Sequence, residues 1–291
     1  MTRPMIRGVA AMIGLALAVC APAAAARLKV VASFSVIGDM ARNVGGNDID
    51  LTVLVGPDSD AHVFQANALH ARAVSAAQVF LANGRGLDAW AARLLRATGA
   101  HATLVTLSER VTARPGDPHA WNDARNAVIY VGAIRQALDA ADPSHAQGFD
   151  ERATAYAIRL RALDDDIRSG LARIPHGMRK VITTHDAFGF FGDAYGVRFL
   201  APLGLSTENQ PSARAVATLI TQIRQERIRA LFLENISDSR LMTQIARETH
   251  VRVGGKLYSD ALSPKSGPAG TYLDMMSHNA RLLTEAMAGG S

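Results

Sequence analysis

The chain holds one cysteine, Cys20, and its aromatic residues make up only 5% of the sequence. A lone cysteine cannot form a disulfide or a thiolate metal cluster, and Cys20 sits inside a processing signal. Arg3 and Arg7 supply a positive start, Val9 to Val19 an apolar run of 11 residues, and Ala24-Ala25-Ala26 an A-x-A cleavage site before Arg27. Cleavage after Ala26 removes the only thiol, so cysteine nucleophiles and disulfide scaffolds are excluded from the mature chain. A lipoprotein signal needs a small residue before the cysteine, and Val19 is a poor one, so lipid anchoring through Cys20 is not expected.

Long apolar runs are also missing. The signal run falls short of the ~20 residues that span a bilayer, and no later stretch reaches that length. Basic blocks are absent too: the net charge of +5 comes from lysines and arginines scattered among acids. Nucleic acid is therefore not an expected partner. Neither an HExxH nor a GxSxG phrase occurs, which removes the commonest marks of a secreted metalloprotease or serine hydrolase. An exported protein of roughly 265 residues without disulfides must rest on its own hydrophobic core.

What is present is an alternation of strands and helices. Leu28 to Phe34, Asp50 to Val55, Gln78 to Ala82 and His101 to Leu107 read as strands. Ile37 to Val44 and Ala66 to Ala77 read as helices between them, and Ala124 to Leu138 as an amphipathic stretch. From Pro143 to Ile174 the pattern is helical throughout, with Ala153, Tyr156, Ala157, Leu160, Leu163 and Ile167 at three- and four-residue spacing. The alternation then resumes. Lys180 to Thr184, Val197 to Leu200, Ile228 to Leu233 and Lys256 to Tyr258 read as strands. Phe188 to Tyr195, Ala213 to Glu226 (capped by Ser212), Ser239 to Thr249 and Tyr272 to Met287 read as helices. This predicts an α/β protein of two lobes, each a parallel-type sheet flanked by helices, bridged by one long rigid helix. The expected division is a signal peptide at 1–26, a first lobe at 27–142, the interlobe helix at 143–175 and a second lobe at 176–291.

Four phrases carry the chemistry: GPDSDAHVF with His62, GDPHAWND with His119, VITTHDAFGFF with His185 and LYSDALS with Asp260. Imidazole nitrogen and carboxylate oxygen suit a borderline divalent cation such as zinc, and four of them complete a tetrahedral shell. Each of the four falls at a strand-to-loop junction, two in each predicted lobe, which is where open α/β sheets gather ligands. Trp121 is placed to pack behind the His119 ring, and Ser259 or Ser263 to donate to Asp260. The other six histidines (His70, His101, His145, His176, His250 and His278) lie at helix ends, on polar faces or at a strand start, and are read as structural or solvated. Glu234 and Asp186 are the acids nearest the constellation. They are read as a partner of neighbouring backbone and as a helix cap, respectively, and not as catalytic bases.

The phrases DAHVF, DPHAWND, ITTHDAFGFFGDAYGV, FLENISD, GGKLYSDALS and TYLDMMSHN, in this order after a signal peptide, resemble the zinc/manganese solute-binding proteins of bacterial ABC importers. The resemblance runs over nearly the whole mature region. It implies two α/β lobes joined by a rigid helix, a periplasmic location, an inner-membrane ABC permease as partner and a monomeric, non-catalytic protein. Carried over position by position, it implies metal ligands at His62, His119, His185 and Asp260. The chain departs from relatives in having Phe64-Gln65-Ala66-Asn67 after His62, where an acid and a proline are common, and in lacking a histidine-rich loop between Ala82 and His119. Manganese-dedicated relatives commonly place glutamate at the third position. With His185 there, the donor set is three nitrogens and one carboxylate, which favours Zn²⁺ over Mn²⁺ or Fe²⁺. The rival classes are a secreted zinc-dependent hydrolase, which needs an open coordination position and a base, and a surface adhesion module, which no feature of the chain supports.

Overall fold

The computed structural model describes residues 26–112 and 114–289, so residues 1–25 of the expected signal peptide, Cys20 among them, lie outside the described residues. The first sheet is built from β1 (Leu28–Phe34), α1 (Ser35–Gly45), β2 (Ile49–Val55), α2 (Ala68–Ala76), β3 (Val79–Ala82), α3 (Trp90–Thr98) and β4 (Thr103–Thr106). Two helices follow, α4 (Ala124–Ala141) and α5 (Ala146–Ala172). The second sheet comprises β5 (Lys180–Ile182), α6 (Gly189–Tyr195), β6 (Arg198–Leu200), α7 (Ala213–Glu226), β7 (Ala230–Glu234), α8 (Arg240–Thr249) and β8 (Arg252–Leu257), and α9 (Tyr272–Met287) closes the chain.

Both sheets are four-stranded, with every pairing parallel and the same spatial order, β2-β1-β3-β4 and β6-β5-β7-β8. Parallel pairing requires a crossover between strands, and the helices supply it. It also points every strand's carboxyl end the same way, so the following loops collect along one edge. The central strands explain why: β1 and β3 are buried nearly end to end by runs of Val, Ala, Leu and Phe, as strands covered on both faces must be.

α5 spans 27 residues, so it reaches about 40 Å at 1.5 Å per residue. Its buried face is Phe149, Ala153, Tyr156, Ala157, Leu160, Leu163, Ile167 and Leu171, which extends the spacing read from the sequence at Ala153 to Ile167 by one turn at each end. The element is shorter than the predicted 143–174 span because Pro143–His145 forms a separate 3₁₀ turn ahead of it. α4, α1 and α9 pack along α5, and one apolar core runs from Leu28 through α5 to Met287. The last helix thus returns to brace the first sheet's α1 as well as the long helix. Among the described residues no helix is long and apolar enough to cross a membrane.

Two further elements differ from the sequence reading. α3 is not anticipated by it, although its exposed arginines and the left-handed Gly99 at its end mark an ordinary surface helix. β8 begins four residues earlier than the expected Lys256 because Gly254 and Gly255 break the apolar pattern. There the register with β7 slips between Leu231 and Phe232, and a Cβ on Gly254 would lie 2.6 Å from the Phe232 ring. The glycine pair makes a bulge and lets the strand pass that ring. The other boundaries move by a few residues or not at all; Ser212 caps α7 as read, accepting from the Ala215 N–H.

Candidate metal centre

The four phrases meet. His62, His119, His185 and Asp260 each bring a ligand atom to one place, all four atoms lying within 4.8 Å of one another. Asp260 Oδ2 is 3.1 Å from His62 Nε2 and 3.2 Å from His185 Nε2, and its Oδ1 is 3.7 Å from His119 Nε2. His119 Nε2 and His62 Nε2 are 3.4 Å apart. A tetrahedron with arms of ~2.0–2.1 Å, the usual zinc–nitrogen and zinc–oxygen length, has edges of about 3.4 Å. The observed separations bracket that edge. The side chains of His119, His185 and Asp260 are fully buried, and that of His62 keeps 6% of its surface.

Each side chain is held by its own support. His62 follows β2 at the end of the loop 56–61, where Asp60 Oδ1 accepts its backbone N–H at 2.8 Å. His119 lies in the connection between β4 and α4. Asp117 Oδ1 accepts the His119 backbone N–H at 3.0 Å and lies 2.9 Å from Nδ1, while Arg114 Nε donates to Asp117 Oδ2 at 2.8 Å. That arrangement puts the proton on Nδ1 and leaves the Nε2 lone pair facing the cluster. Trp121 packs edge-on against the ring at 5.4 Å, as read from the sequence.

His185 follows β5, and Glu234 ends the adjacent β7. Between those two strands the order of the sheet reverses, the place where doubly wound folds bind ligands. Glu234 Oε1 accepts the backbone N–H groups of Thr184 (2.7 Å) and His185 (2.9 Å), and Oε2 lies 2.6 Å from His185 Nδ1, off the line of the ring N–H. Asp260 follows β8. Asn279 of α9 clamps the approach to it, accepting the Tyr258 N–H at 3.0 Å and donating to the Tyr258 carbonyl at 2.7 Å.

Charge balance follows from this packing. Burial opposes a positive charge on His119 and His185, but Asp260 with Asp117, and Glu234 with Asp260, outweigh it and raise both imidazoles, His185 strongly. Burial opposes ionisation of Asp260 as well, yet the two imidazoles hold it well below the usual carboxylate range. Both Asp260 oxygens and His185 Nε2 are buried without a hydrogen-bond partner. Buried polar atoms of that kind are costly, about 1–3 kcal/mol each, and here they converge on the same point. Coordination of a divalent cation satisfies them together.

Two sequence expectations fail here. Asp186 does not cap the helix after His185: α6 starts at Gly189 with Phe188 before it and has no side-chain cap. Neither Ser259 nor Ser263 donates to Asp260. The Ser259 hydroxyl has no partner, and that of Ser263 bonds the Pro264 carbonyl and the Ala269 N–H. The sequence reading also missed Asp117 and Asn279 as supports. A carboxylate two residues before a candidate histidine was a usable signal for the first. Asn279 has none, because the contact spans 21 residues.

The family described as zinc-uptake complex component A, periplasmic, matches residues 30–286. The chain belongs to this family. It is similar to the manganese-binding lipoprotein MntA of Bacillus subtilis, with 32% identity over 275 residues covering 90% of each chain. It is also similar to the iron-binding protein YfeA of Yersinia pestis, with 31% identity over 260 residues covering 87% of this chain and 84% of that one. Among solved structures, the periplasmic zinc-binding protein TroA of Treponema pallidum superposes with a TM-score of 0.85 at 28% identity, covering 90% of this chain and 99% of that one. The two-lobe architecture read from the sequence is that of this family.

As a member of the zinc-uptake component family the chain is an exported binding protein and not an enzyme, which sets aside the hydrolase alternative. The Bacillus subtilis relative is named a lipoprotein, so the expectation against a lipid on Cys20 finds no support in it.

Proposed function

We propose that the chain is the periplasmic substrate-binding component of a metal ABC importer, holding one divalent cation between His62, His119, His185 and Asp260 and handing it to an inner-membrane permease. The observation that carries this reading is the convergence of three imidazoles and one carboxylate at tetrahedral edge lengths inside the protein. On this reading residues 27–142 and 176–291 are the two lobes, each giving two ligands, and 143–175 is the bridge between them. Four protein ligands leave no coordination position for a reacting water, as transport requires and hydrolysis does not allow. All four come from one chain, so a monomer suffices.

Zinc is the favoured cargo, because three nitrogens and one oxygen suit it better than the harder Mn²⁺ and Fe²⁺. Manganese or iron is the second reading, favoured by the names of the Bacillus subtilis and Yersinia pestis relatives. Elemental analysis of protein purified from the periplasm, followed by competitive Zn²⁺ and Mn²⁺ titration of the stripped protein, decides between them. Stoichiometric zinc with preference over Mn²⁺ supports the first reading, and native manganese or iron the second. Failure to bind any divalent cation would reject both.

A further inference from the structure

Three of the four side chains stand on segments bonded to one another inside the protein. Trp121, two residues past His119, donates its Nε1–H to the Ser259 carbonyl at 2.8 Å, immediately before Asp260. Asn122 donates through Nδ2 to the Ala187 carbonyl at 3.0 Å, two residues after His185. Tyr272 donates its hydroxyl to the Trp121 carbonyl at 2.6 Å. All three bonds are buried. They make His119, His185 and Asp260 a fixed support whose members come from both sheets' loops.

His62 is attached differently. The base of its loop is tied to the second sheet's loops at Asp58, whose N–H bonds the Leu262 carbonyl at 2.9 Å and whose Oδ1 accepts from Asn235 at 3.0 Å. Toward the tip, the first sheet's side contributes a 3.3 Å bond from Trp90 Nε1 to the Ala61 carbonyl. The remaining tie is Asp60. Its Oδ1 takes the His62 backbone N–H at 2.8 Å, and its Oδ2 takes the Thr207 hydroxyl at 2.5 Å. Asp60 and Thr207 also line a cleft of ≈ 540 Å³ that reaches Thr184, the neighbour of His185. One carboxylate therefore touches both the backbone of the partly exposed histidine and the far wall of the opening beside it.

We propose that Asp60 is a positioning residue that couples His62 to the 203–210 segment through Thr207, so that His62 closing on the cation and the cleft closing over it are a single event. This rests on the reading of His62 as a metal ligand. With the other three side chains fixed and Asp58 tied at the base of the loop, the motion that admits or frees the ion is that of residues 59–62. A ligand held by this device leaves more slowly when the Asp60–Thr207 bond is intact, while the encounter of the ion with the fixed three is little affected.

The test is stopped-flow release of Zn²⁺ to a chelating dye, comparing wild type, Thr207→Val and Thr207→Ser. Valine keeps the shape and removes the donor; serine restores it. A hydrogen bond to a charged group is worth about one factor of ten or more, so Thr207→Val is expected to release Zn²⁺ ~10-fold faster, with the association rate changed less than about threefold. Thr207→Ser is expected to return to the wild-type rate, and the Co²⁺-loaded valine variant to keep the wild-type visible spectrum. Should the valine variant not fold, Asp60→Ala carries the same comparison of rates. Release at the wild-type rate in a folded variant, or loss that serine does not restore, overturns the coupling while the metal-binding reading stands. Wild-type protein that takes up no Zn²⁺ overturns both.

Discussion

Glu234 and His185 sit with Oε2 and Nδ1 2.6 Å apart, both side chains fully buried, at the reversal point of the second sheet. The other Glu234 oxygen is occupied by two backbone N–H groups, so the carboxylate cannot turn away. Its negative charge beside Nδ1 favours the proton on that nitrogen, and so favours an Nε2 lone pair facing Asp260 and the other two imidazoles.

Glu234→Gln tests that tautomer control. The amide can still accept the two backbone N–H groups through its oxygen, but its NH₂ then faces Nδ1 and favours the proton on Nε2, where the cation must bind. Zinc affinity is expected to fall 10- to 100-fold, the usual loss for a partner of a metal-bound histidine, with the far-UV spectrum unchanged. Isothermal titration measures it.

His119→Ala removes a ligand outright and is expected to lower zinc affinity more than the Glu234 change does, by over ~100-fold. It also strands Asp117, although Arg114 remains to pair with it, so the protein stays folded with a modest drop in Tm. Unchanged zinc affinity would remove His119 from the site.

His185→Glu combined with Glu234→Gln exchanges one nitrogen donor for an oxygen. Glutamate alone at 185 would face the Glu234 carboxylate, hence the pairing. The ratio of zinc to manganese affinity is expected to fall, since oxygen donors suit Mn²⁺ better. Competitive titration of both ions reads it directly.

The pH response differs in sign between the metal-free and loaded protein. His119 and His185 are raised in the folded metal-free state. Their contribution is complete below the unfolded imidazole value, ~6.5, and is lost as pH rises through the raised values. Asp260 is lowered, so its contribution is present above the unfolded carboxylate value, ~3.9, and is lost as pH falls through the lowered value. Metal binding requires neutral imidazoles and releases their protons. The metal-free Tm is therefore expected to decline from pH 6 toward 8.5 while the increment given by saturating zinc grows. At a free ion concentration ~1,000 times Kd that increment corresponds to about 4 kcal/mol, and EDTA should abolish it. Differential scanning fluorimetry across pH, with and without zinc, checks both trends.

Much of this molecule was legible in the chain because its signals are local. The spacing of Ala153 to Ile167 reads as one buried helical face, and the runs before His62 and His185 read as strands from their β-branched residues. The four candidate residues stood out because each lies inside a distinctive turn-rich phrase, although His119 sits well past the end of β4 and not at a strand end. Contacts that depend on tertiary geometry stayed hidden. Asp186 looks like a cap by position, but the backbone after His185 turns to let the Asp186 N–H reach the Gly204 carbonyl, and α6 begins three residues later. The Gly254-Gly255 pair falls outside the strand expected from Lys256, and its place in β8 makes sense only with the Phe232 ring it passes. Asp60–Thr207 links residues 147 positions apart, and no pattern along the chain announces it.

The central claim is that His62, His119, His185 and Asp260 bind one cation together. Anomalous diffraction at the zinc edge from crystals of the zinc-loaded protein tests it most directly. A single strong peak within about 2.0–2.2 Å of the three Nε2 atoms and an Asp260 oxygen is expected. A peak elsewhere, or one that leaves any of these four side chains out of coordination distance, would contradict it.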